Sequence, residues 1–376
     1  MKYKAVIIRL FPNREQNIKM RQSAGVARWT WNWGLALNEE LYRQGERRLT
    51  GYGLRKKFTD VRKNPQYKWL MDTAYKVSAN ALLDLWRAYQ DFFRRIKNGG
   101  HGGSPKFKVK GVSKVSFCLD TDRTYAIDER HIQLEKIGHV KFKSSEHLDR
   151  STKLFNARIK FENGKWLLKC SIETQPHAST PSLSNSAMGI DVGVKSLAIV
   201  SMNGRKRVIR NINRSHRMRR LVRQLKHHQR ALSRKKKGSA NRLKERYRVQ
   251  KLFARIKRIR HDYIHKVTRA VIDMKPKVIV LEDLNIQGMM KNKHLARAVA
   301  EQNLYLFRQL IEYKAGELGI TVKYADRFYP SSKTCSGCGH VREKLRLDER
   351  VYKCPECGLE IDRDFNAALN LERLAE

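Results

Sequence analysis

The chain has 376 residues, 41% of them hydrophobic, which is enough to fill the cores of two or three domains and excludes a disordered polybasic tail. Its 80 Lys and Arg residues against 36 Asp and Glu leave a formal charge of +44, so a polyanion, nucleic acid before any other, is the expected partner. No run reaches the roughly 18 apolar residues of a membrane span and the N-terminal apolar stretch is too short for a signal peptide, which predicts a soluble, intracellular (cytoplasmic) protein without a membrane partner.

The N-terminal half changes its pattern twice. "YKAVIIRLFP" predicts a β-strand that a proline ends, and from Arg14 to about Asn98 apolar residues recur at helical spacing. The segment 99–111, "GGHGGSPKFKVKG", predicts a flexible joint, after which about 65 residues alternate as strands do. For the tryptophans of "RWTWNWG", burial in a core is favoured over a platform on which bases stack.

The second half begins after the Ser- and Pro-rich segment 176–187, which has no periodicity and predicts a linker. "MGIDVGVKSLAIVSMNGRKRVIRNI" then predicts a meander of three strands with a hairpin turn at Asn203-Gly204. Residues 214–274 predict two long helices divided near "KKKGSAN". The strand "KVIVLEDL", one helix over about 296–318 and the strand "TVKYADR" complete the order of an RNase H-like α/β domain.

Two acidic residues close predicted strands of this domain. Asp191 ends the first strand of the meander, and Glu282 ends "VIVLE". Reactive groups gather at strand ends in open α/β sheets, so these two carboxylates are expected to meet. In a basic protein, paired carboxylates can hold two divalent ions about 3.5–4 Å apart beside a phosphodiester. For either acid taken alone, the alternative is a helix cap or a salt-bridge partner of the surrounding arginines.

Two aspartates near the C-terminus, in "EIDRDFNAALNLE", compete for the third position of such a site. On a helix at about 100° per residue, Asp364 shares a face with Ala367 and Leu371, whereas Asp362 falls at the edge of that face. We therefore predict that Asp364 is the third carboxylate and that Asp362 caps the helix N-terminus.

Six cysteines in a chain of this length do not indicate a disulfide scaffold. Four of them form two C-x2-C pairs separated by 15 residues, the spacing of a structural zinc ribbon, and the glycine after each pair allows a tight turn. The predicted zinc ligands are Cys335, Cys338, Cys354 and Cys357. Cys118 and Cys170 are expected to pack inside the strand-rich region.

Basic residues are concentrated between Arg205 and Arg269, where 26 of 65 residues are Lys or Arg. Apolar residues persist at helical spacing beneath this charge, so one face is expected to pack and the other to contact phosphates rather than bases. The predicted nucleic-acid contacts are Arg230, Arg234, Lys235, Lys236 and Lys237 at the tip between the two helices, with Lys106 and Lys108 in "SPKFKVKG".

Several motifs in combination resemble the TnpB family, which consists of transposon-encoded RNA-guided DNA nucleases related to the type V CRISPR effectors. They are "YKAVIIRLFPNREQ", "GGSPKFK", "GIDVGVKSLA", "LSRKKKGSAN", "VIVLEDLNIQGM", "FYPSSKTCSGCG", "YKCPECG" and "DRDFNAALNL", and together they span nearly the whole chain. Position by position, the resemblance implies that Asp191, Glu282 and Asp364 are RuvC-type catalytic acids that bind two Mg2+ ions. It also implies that the four cysteines bind structural Zn2+.

The resemblance further implies a multidomain α+β fold. A β-barrel wedge module is expected over residues 1–13 and 105–180, with a helical recognition module inserted at 14–104. An RNase H-like (RuvC) α/β domain is expected over 181–330 and 359–376, with a zinc ribbon inserted at 331–358. The expected partners are a guide RNA from the transposon end and double-stranded target DNA.

Three functions are compatible with these features. The first is an RNA-guided DNA endonuclease that reads a short motif beside its target. The second is a guided DNA-binding repressor, which would keep the charge and the ribbon but not cut; the intact acids favour the first over it. The third is a ribosomal type of RNA-binding protein with a zinc ribbon, which would not explain acids at strand ends in separate segments.

Overall fold

The computed structural model of the protein describes residues 2–174, 183–346 and 348–375, in two compact units that comprise residues 1–176 and 177–376. Most of the predicted linker 176–187 lies outside the described residues, and its last residue, Ala187, already begins a strand. Among the described residues, no helix combines the length and the apolar character that crossing a membrane requires.

The described residues of the first unit form one antiparallel sheet and three α-helices. Its strands are β1 Lys2–Phe11, β2 Ser116–Cys118, β3 Tyr125–Ala126, β4 His131–Leu134, β5 Gly138–Lys143, β6 Leu154–Glu162 and β7 Lys165–Thr174. Its helices are α1 Arg14–Arg43, α2 Gly51–Lys63 and α3 Tyr75–Lys97, with a 3-10 segment at Pro65–Asp72. The strand order is β2-β6-β7-β1-β5-β4-β3. Its terminal strands β2 and β3 are not paired with each other, so among the described residues no strand pair closes the predicted barrel.

The predicted strand "YKAVIIRLFP" is confirmed as β1, which lies in the middle of this sheet between β7 and β5. Asn13 follows it and starts α1 through a capping box, in which its side chain accepts from the Gln16 N–H and the Gln16 side chain accepts from the Asn13 N–H. Trp31 is buried, and Trp29 and Trp33 pack against the same core, which confirms the core interpretation of "RWTWNWG".

The second unit contains a five-stranded mixed sheet, a two-stranded sheet and six α-helices in its described residues. Its strands are β8 Ala187–Val192, β9 Ser196–Met202, β10 Arg205–Arg210, β11 Val278–Glu282, β12 Thr321–Ala325, β13 Val351–Lys353 and β14 Glu360–Asp362. Its helices are α4 His216–Arg234, α5 Ala240–Ile272, α6 Ile286–Lys291, α7 Ala296–Gln302, α8 Leu304–Leu318 and α9 Arg363–Arg373. A 3-10 turn spans Ile212–Arg214.

The strand order of the larger sheet is β10-β9-β8-β11-β12. The predicted meander β8-β9-β10 is confirmed as antiparallel, and β11 lies parallel to both β8 and β12. The single helix predicted over 296–318 is wrong, because Asn303 adopts a left-handed conformation with φ 53° and divides α7 from α8. Asparagine tolerates this region better than most residues, so the helix can break there without a glycine.

Helix α9 packs directly on the backbone of β8. A Cβ atom added at Gly189 would lie 2.0 Å from the Ala368 carbonyl oxygen and 2.4 Å from the Glu372 nitrogen. Because only glycine leaves this space free, the strand and the helix can approach at backbone distance. This approach fixes α9, and with it the C-terminal aspartates, against the strand that carries Asp191.

Candidate functional site

The ends of strands β8 and β11 bring two of the predicted acids together. The strands run parallel with Ile190 opposite Leu281, and Asp191 and Glu282 are the next residues on their respective strands. Buried Ile190 and Leu281 anchor both strands in the core of the second unit, so the two acids emerge at the same edge of the sheet.

The third predicted acid reaches the same place from helix α9. Asp364 lies in its first turn, and its carboxylate is close enough to Asp191 and to Glu282 to affect the pKa of both. Asp362 is the N-cap, as predicted, because its Oδ1 accepts from the Phe365 N–H at 2.9 Å. The two aspartates of "EIDRDF" therefore differ in their surroundings, since Asp362 caps helix α9 and Asp364 lies near the other two acids.

The cluster is electrostatically unfavourable in the absence of cations. Burial among protein atoms raises the pKa of Asp191 well above its usual range, and the charges of Glu282 and Asp364 raise it further. Burial likewise raises the pKa of Glu282. Arg363 partly offsets this repulsion, and its guanidinium Nη2 lies 3.2 Å from Asp364 Oδ1. Carboxylate oxygens are the donors that Mg2+ prefers, so three carboxylates whose charges influence one another have the chemistry of a divalent-ion site.

Two features of this site have no clear signal in the sequence. In the motif that contains Asp362 and Asp364, the acids indicate the site and Arg363 between them does not. Ser331 has no sequence feature that distinguishes it from the other serines. In the fold, the Ser331 hydroxyl donates to Glu282 Oε1 and so fixes one carboxylate oxygen. Ser331 and Glu282 come into contact only in the fold, through the pairing of strands β11 and β12 and the loop that follows β12.

The loop that carries Ser331 is also bound to helix α9 by two buried asparagines. Asn370 donates to the carbonyl oxygens of Ser331 at 2.8 Å and Thr334 at 2.7 Å. Asn366 donates to the Thr334 carbonyl at 2.6 Å, and its Oδ1 accepts from the Ser336 N–H at 2.9 Å. A buried amide without partners is costly, so these bonds hold the loop, the helix and the acids in one arrangement.

The four predicted zinc ligands lie together next to this loop. The Sγ atoms of Cys335, Cys338, Cys354 and Cys357 all lie within 4.8 Å of one another. The Cys335–Cys357 and Cys338–Cys354 Sγ distances are 3.6 and 3.5 Å. Thiolates at about 2.3 Å from a tetrahedral ion are separated by about 3.8 Å, so the group fits zinc. Backbone N–H groups of Cys357 and Glu356 help lower the pKa of the Cys354 thiol to about 6, whereas burial and hydrogen bonds with the other thiols raise the pKa of Cys338 to about 12.

The predicted nucleic-acid contacts of the second unit lie where α4 meets α5. Met218, Leu221, Leu225, Val249 and Ile256 form the buried seam between these helices. Arg230, Arg234, Lys236 and Lys237 are exposed and Lys235 is half-buried. Within the described residues none of these five cations forms a salt bridge with a carboxylate, so their charge remains available.

The two predicted contacts of the first unit differ from each other. The Asn32 side chain accepts from the Lys108 N–H at 2.8 Å and donates to the Lys108 carbonyl at 3.0 Å, and the Trp31 Nε1–H donates to the Lys106 carbonyl at 3.1 Å. The predicted flexible joint 99–111 is therefore fixed at these residues. Lys106 is exposed, whereas the Lys108 ammonium lies 3.5 Å from the centre of the Trp31 ring and burial lowers its pKa to about 8. Lys108 is thus a weaker candidate for a phosphate contact than Lys106.

These features define a strongly basic, multidomain α+β protein with a carboxylate cluster at the strand ends of one sheet and a four-thiol cluster bound to the same loop and helix. Family models match residues 1–47 ("Helix-turn-helix domain"), 167–293 ("Probable transposase") and 305–371 ("Cas12f1-like, TNB domain"). Within the first of these segments the structure has strand β1 and the single helix α1 rather than two helices.

The chain is similar over nearly its full length to proteins of two bacteria. It is 30% identical over 367 residues to "Putative RNA-guided DNA endonuclease" of Streptomyces pristinaespiralis. This alignment covers 96% of this chain and 87% of that protein. It is 29% identical to "Putative RNA-guided DNA endonuclease InsQ" of Escherichia coli K12, over 96% of this chain and 90% of that protein. The chain belongs to the TnpB family. A solved structure, "Cryo-EM structure of the Cas12f1-sgRNA-target DNA complex", aligns over 100% of both chains with 18% identity and a TM-score of 0.38.

Proposed function

We propose that the protein is an RNA-guided DNA endonuclease of a transposon. It would hold a guide RNA from the transposon end, cut double-stranded DNA that matches the guide and read a short motif beside the target. The observation that carries the proposal is the meeting of Asp191, Glu282 and Asp364 at one sheet edge of a protein with a charge of +44. The names of the relatives support it.

The proposed roles follow from chemistry. Asp191, Glu282 and Asp364 would hold two Mg2+ ions, which supply Lewis-acid stabilisation of the attacking and leaving oxygens when they are bound. Ser331 would keep Glu282 oriented through its hydrogen bond, and Arg363 would place positive charge beside the phosphate. Arg230, Arg234, Lys235, Lys236 and Lys237 would contact nucleic-acid backbones, as would Lys106.

We propose the same domain boundaries that the sequence predicts. Residues 181–330 and 359–376 would form a RuvC-like nuclease domain, and the order β10-β9-β8-β11-β12, with its antiparallel meander beside two parallel strands, supports an RNase H-like fold. Residues 331–358 would form a zinc ribbon. Residues 1–13 and 105–180 would form the wedge module and 14–104 the recognition module.

The direct test is to purify the expressed full chain, sequence the RNA that accompanies it and incubate the complex with a plasmid that carries the matching sequence. We expect Mg2+-dependent cutting that leaves 5′-phosphate ends and stops in EDTA. A plasmid with a scrambled match is the control. Tight binding of the matched plasmid without cutting would contradict the nuclease proposal and favour a guided repressor. Absence of any specific RNA would contradict both.

Zinc occupancy is a separate prediction. We expect one zinc per chain in the wild-type protein and none in Cys354→Ser, because a four-thiolate site that loses a ligand binds the ion far more weakly. Segment 331–361 of the variant should be cut faster by protease, since Tyr352 and Cys335 pack in the small core around the thiols. The matched control is Cys118→Ser, whose half-buried thiol lies outside the cluster. Equal zinc content in both variants, measured by elemental analysis, would contradict the site.

A further inference from the structure

Phe328 is the most exposed large hydrophobic side chain of the described residues, with 87% of its surface accessible to solvent. It lies between strand β12 and Cys335, in a segment whose function the acids and the thiols do not explain. Single exposed apolar side chains are common on protein surfaces, so the exposure of this ring suggests a ligand only in combination with its place in the chain near the carboxylate site.

The segment that carries Phe328 is attached to the carboxylate site at both ends. At one end, Ala325 is the strand partner of Glu282, and at the other Ser331 donates to the Glu282 carboxylate. Phe328 is the third residue after Ala325, so their Cα atoms are at most about 11 Å apart. The Phe328 backbone therefore lies within about 11 Å of the strand partner of Glu282.

The turn itself is fixed by local bonds. The Phe328 N–H donates to Asp326 Oδ1 at 2.8 Å, and the Tyr329 N–H donates to the Asp326 carbonyl at 3.0 Å. Arg327 reaches back to Asp283 Oδ2 at 2.6 Å. Since the backbone on both sides of Phe328 is held, the ring is presented by a defined turn.

We propose that Phe328 is a stacking platform for an unpaired DNA base next to the phosphate that is cut. A nucleotide fits this position because the site needs a single strand drawn to the acids, the protein is strongly basic and every base offers a π-face to an aromatic ring. The inference rests on the proposed nuclease function and deepens it by naming a residue that positions the strand. Stacking would not select a sequence, and so it suits a guided enzyme whose cut site varies.

The test uses the full chain with its bound RNA. It separates the effect of an apolar side chain at position 328 from the effect of an aromatic ring there. Phe328→Leu keeps an apolar side chain but removes the π-face, whereas Phe328→Trp keeps and enlarges that face. We expect the Leu variant to cut matched DNA roughly 5- to 150-fold more slowly at subsaturating DNA, and the Trp variant to cut like the wild type. The control is Tyr305→Leu, which removes a 61% exposed ring from helix α8 and should leave cutting unchanged.

A readout independent of cutting comes from photocrosslinking in EDTA. DNA that carries 5-iodouracil at successive positions around the cut site should crosslink to the peptide containing Phe328 at one or two positions, and Phe328→Leu should lose this crosslink while RNA and DNA binding persist. Wild-type cutting by the Leu variant, or crosslinks that map only elsewhere, would overturn the proposal. If the wild type binds RNA but cuts nothing, the nuclease function fails instead, and the crosslink alone then decides whether Phe328 contacts a base.

Discussion

Asp191→Asn should abolish Mg2+-dependent DNA cutting and at the same time stabilise the metal-free protein. The substitution removes a charged ligand from the proposed ion site. Loss of a single hydrogen-bond donor to a transition state costs an enzyme about 2.7–4 kcal/mol, or roughly 100- to 1,000-fold in rate, and loss of a charged ion ligand should cost at least as much. It also removes a carboxylate that is repelled by Glu282 and Asp364. We expect a gain of about 1 kcal/mol in the free energy of unfolding, which raises the melting temperature by about 2–4 °C.

The pH dependence of this gain follows from linkage. Because the folded state raises the pKa of Asp191 and Glu282 above their unfolded values, folded wild-type protein binds more protons, and its stability falls as pH rises through the interval between the two values. The advantage of Asp191→Asn in EDTA should therefore grow from acid to neutral pH and disappear in acid. Melting curves at several pH values measure it.

The control for this variant is Asp262→Asn, which removes an exposed carboxylate that forms a salt bridge with Lys266 on the same helix. Such a pair contributes little, so both stability and cutting should remain near wild type. RNA binding by Asp191→Asn should also be unchanged, because the predicted contacts to nucleic-acid backbones are cations and do not include this carboxylate. Wild-type cutting by Asp191→Asn would refute the site assignment.

Elements that follow from local sequence patterns can be predicted from the sequence alone. Periodicity predicts strand β1, the meander β8-β9-β10 and the two basic helices. The place of Asp362 before a helical pattern predicts its N-cap role. Asp191 and Glu282 were recognisable because each closes an apolar strand. Their catalytic role stays a prediction.

The remaining features depend on contacts between distant residues. The bond from Ser331 to Glu282 joins residues 49 positions apart, and Asn370 contacts a carbonyl 39 positions away. No periodicity marks such partners. The break at Asn303 was missed for a related reason, since apolar spacing continues through it and only the backbone conformation divides α7 from α8.

Gly189→Ala should strongly lower the stability of the second unit. Gly189 has no positive φ, so alanine fits its backbone conformation and the cost is purely steric. Overpacking against flexible side chains costs about 1–3 kcal/mol. Here the obstacles are the backbone atoms of Ala368 and Glu372, which can move only with helix α9 itself. We expect a loss of about 3 kcal/mol or more in chemical denaturation.

The matched control is Gly316→Ala, at an exposed position of helix α8, where an added Cβ meets nothing within 4 Å. Alanine there should stabilise the protein by about 0.5–1 kcal/mol through its higher helix propensity. If Gly189→Ala folds but displaces α9, Asp364 moves away from Asp191 and Glu282, and cutting should fall even at temperatures where the variant is folded. Equal stability of the two alanine variants would mean that α9 does not pack on β8 at backbone distance, and the third carboxylate would then lose the contact that brings it to the site.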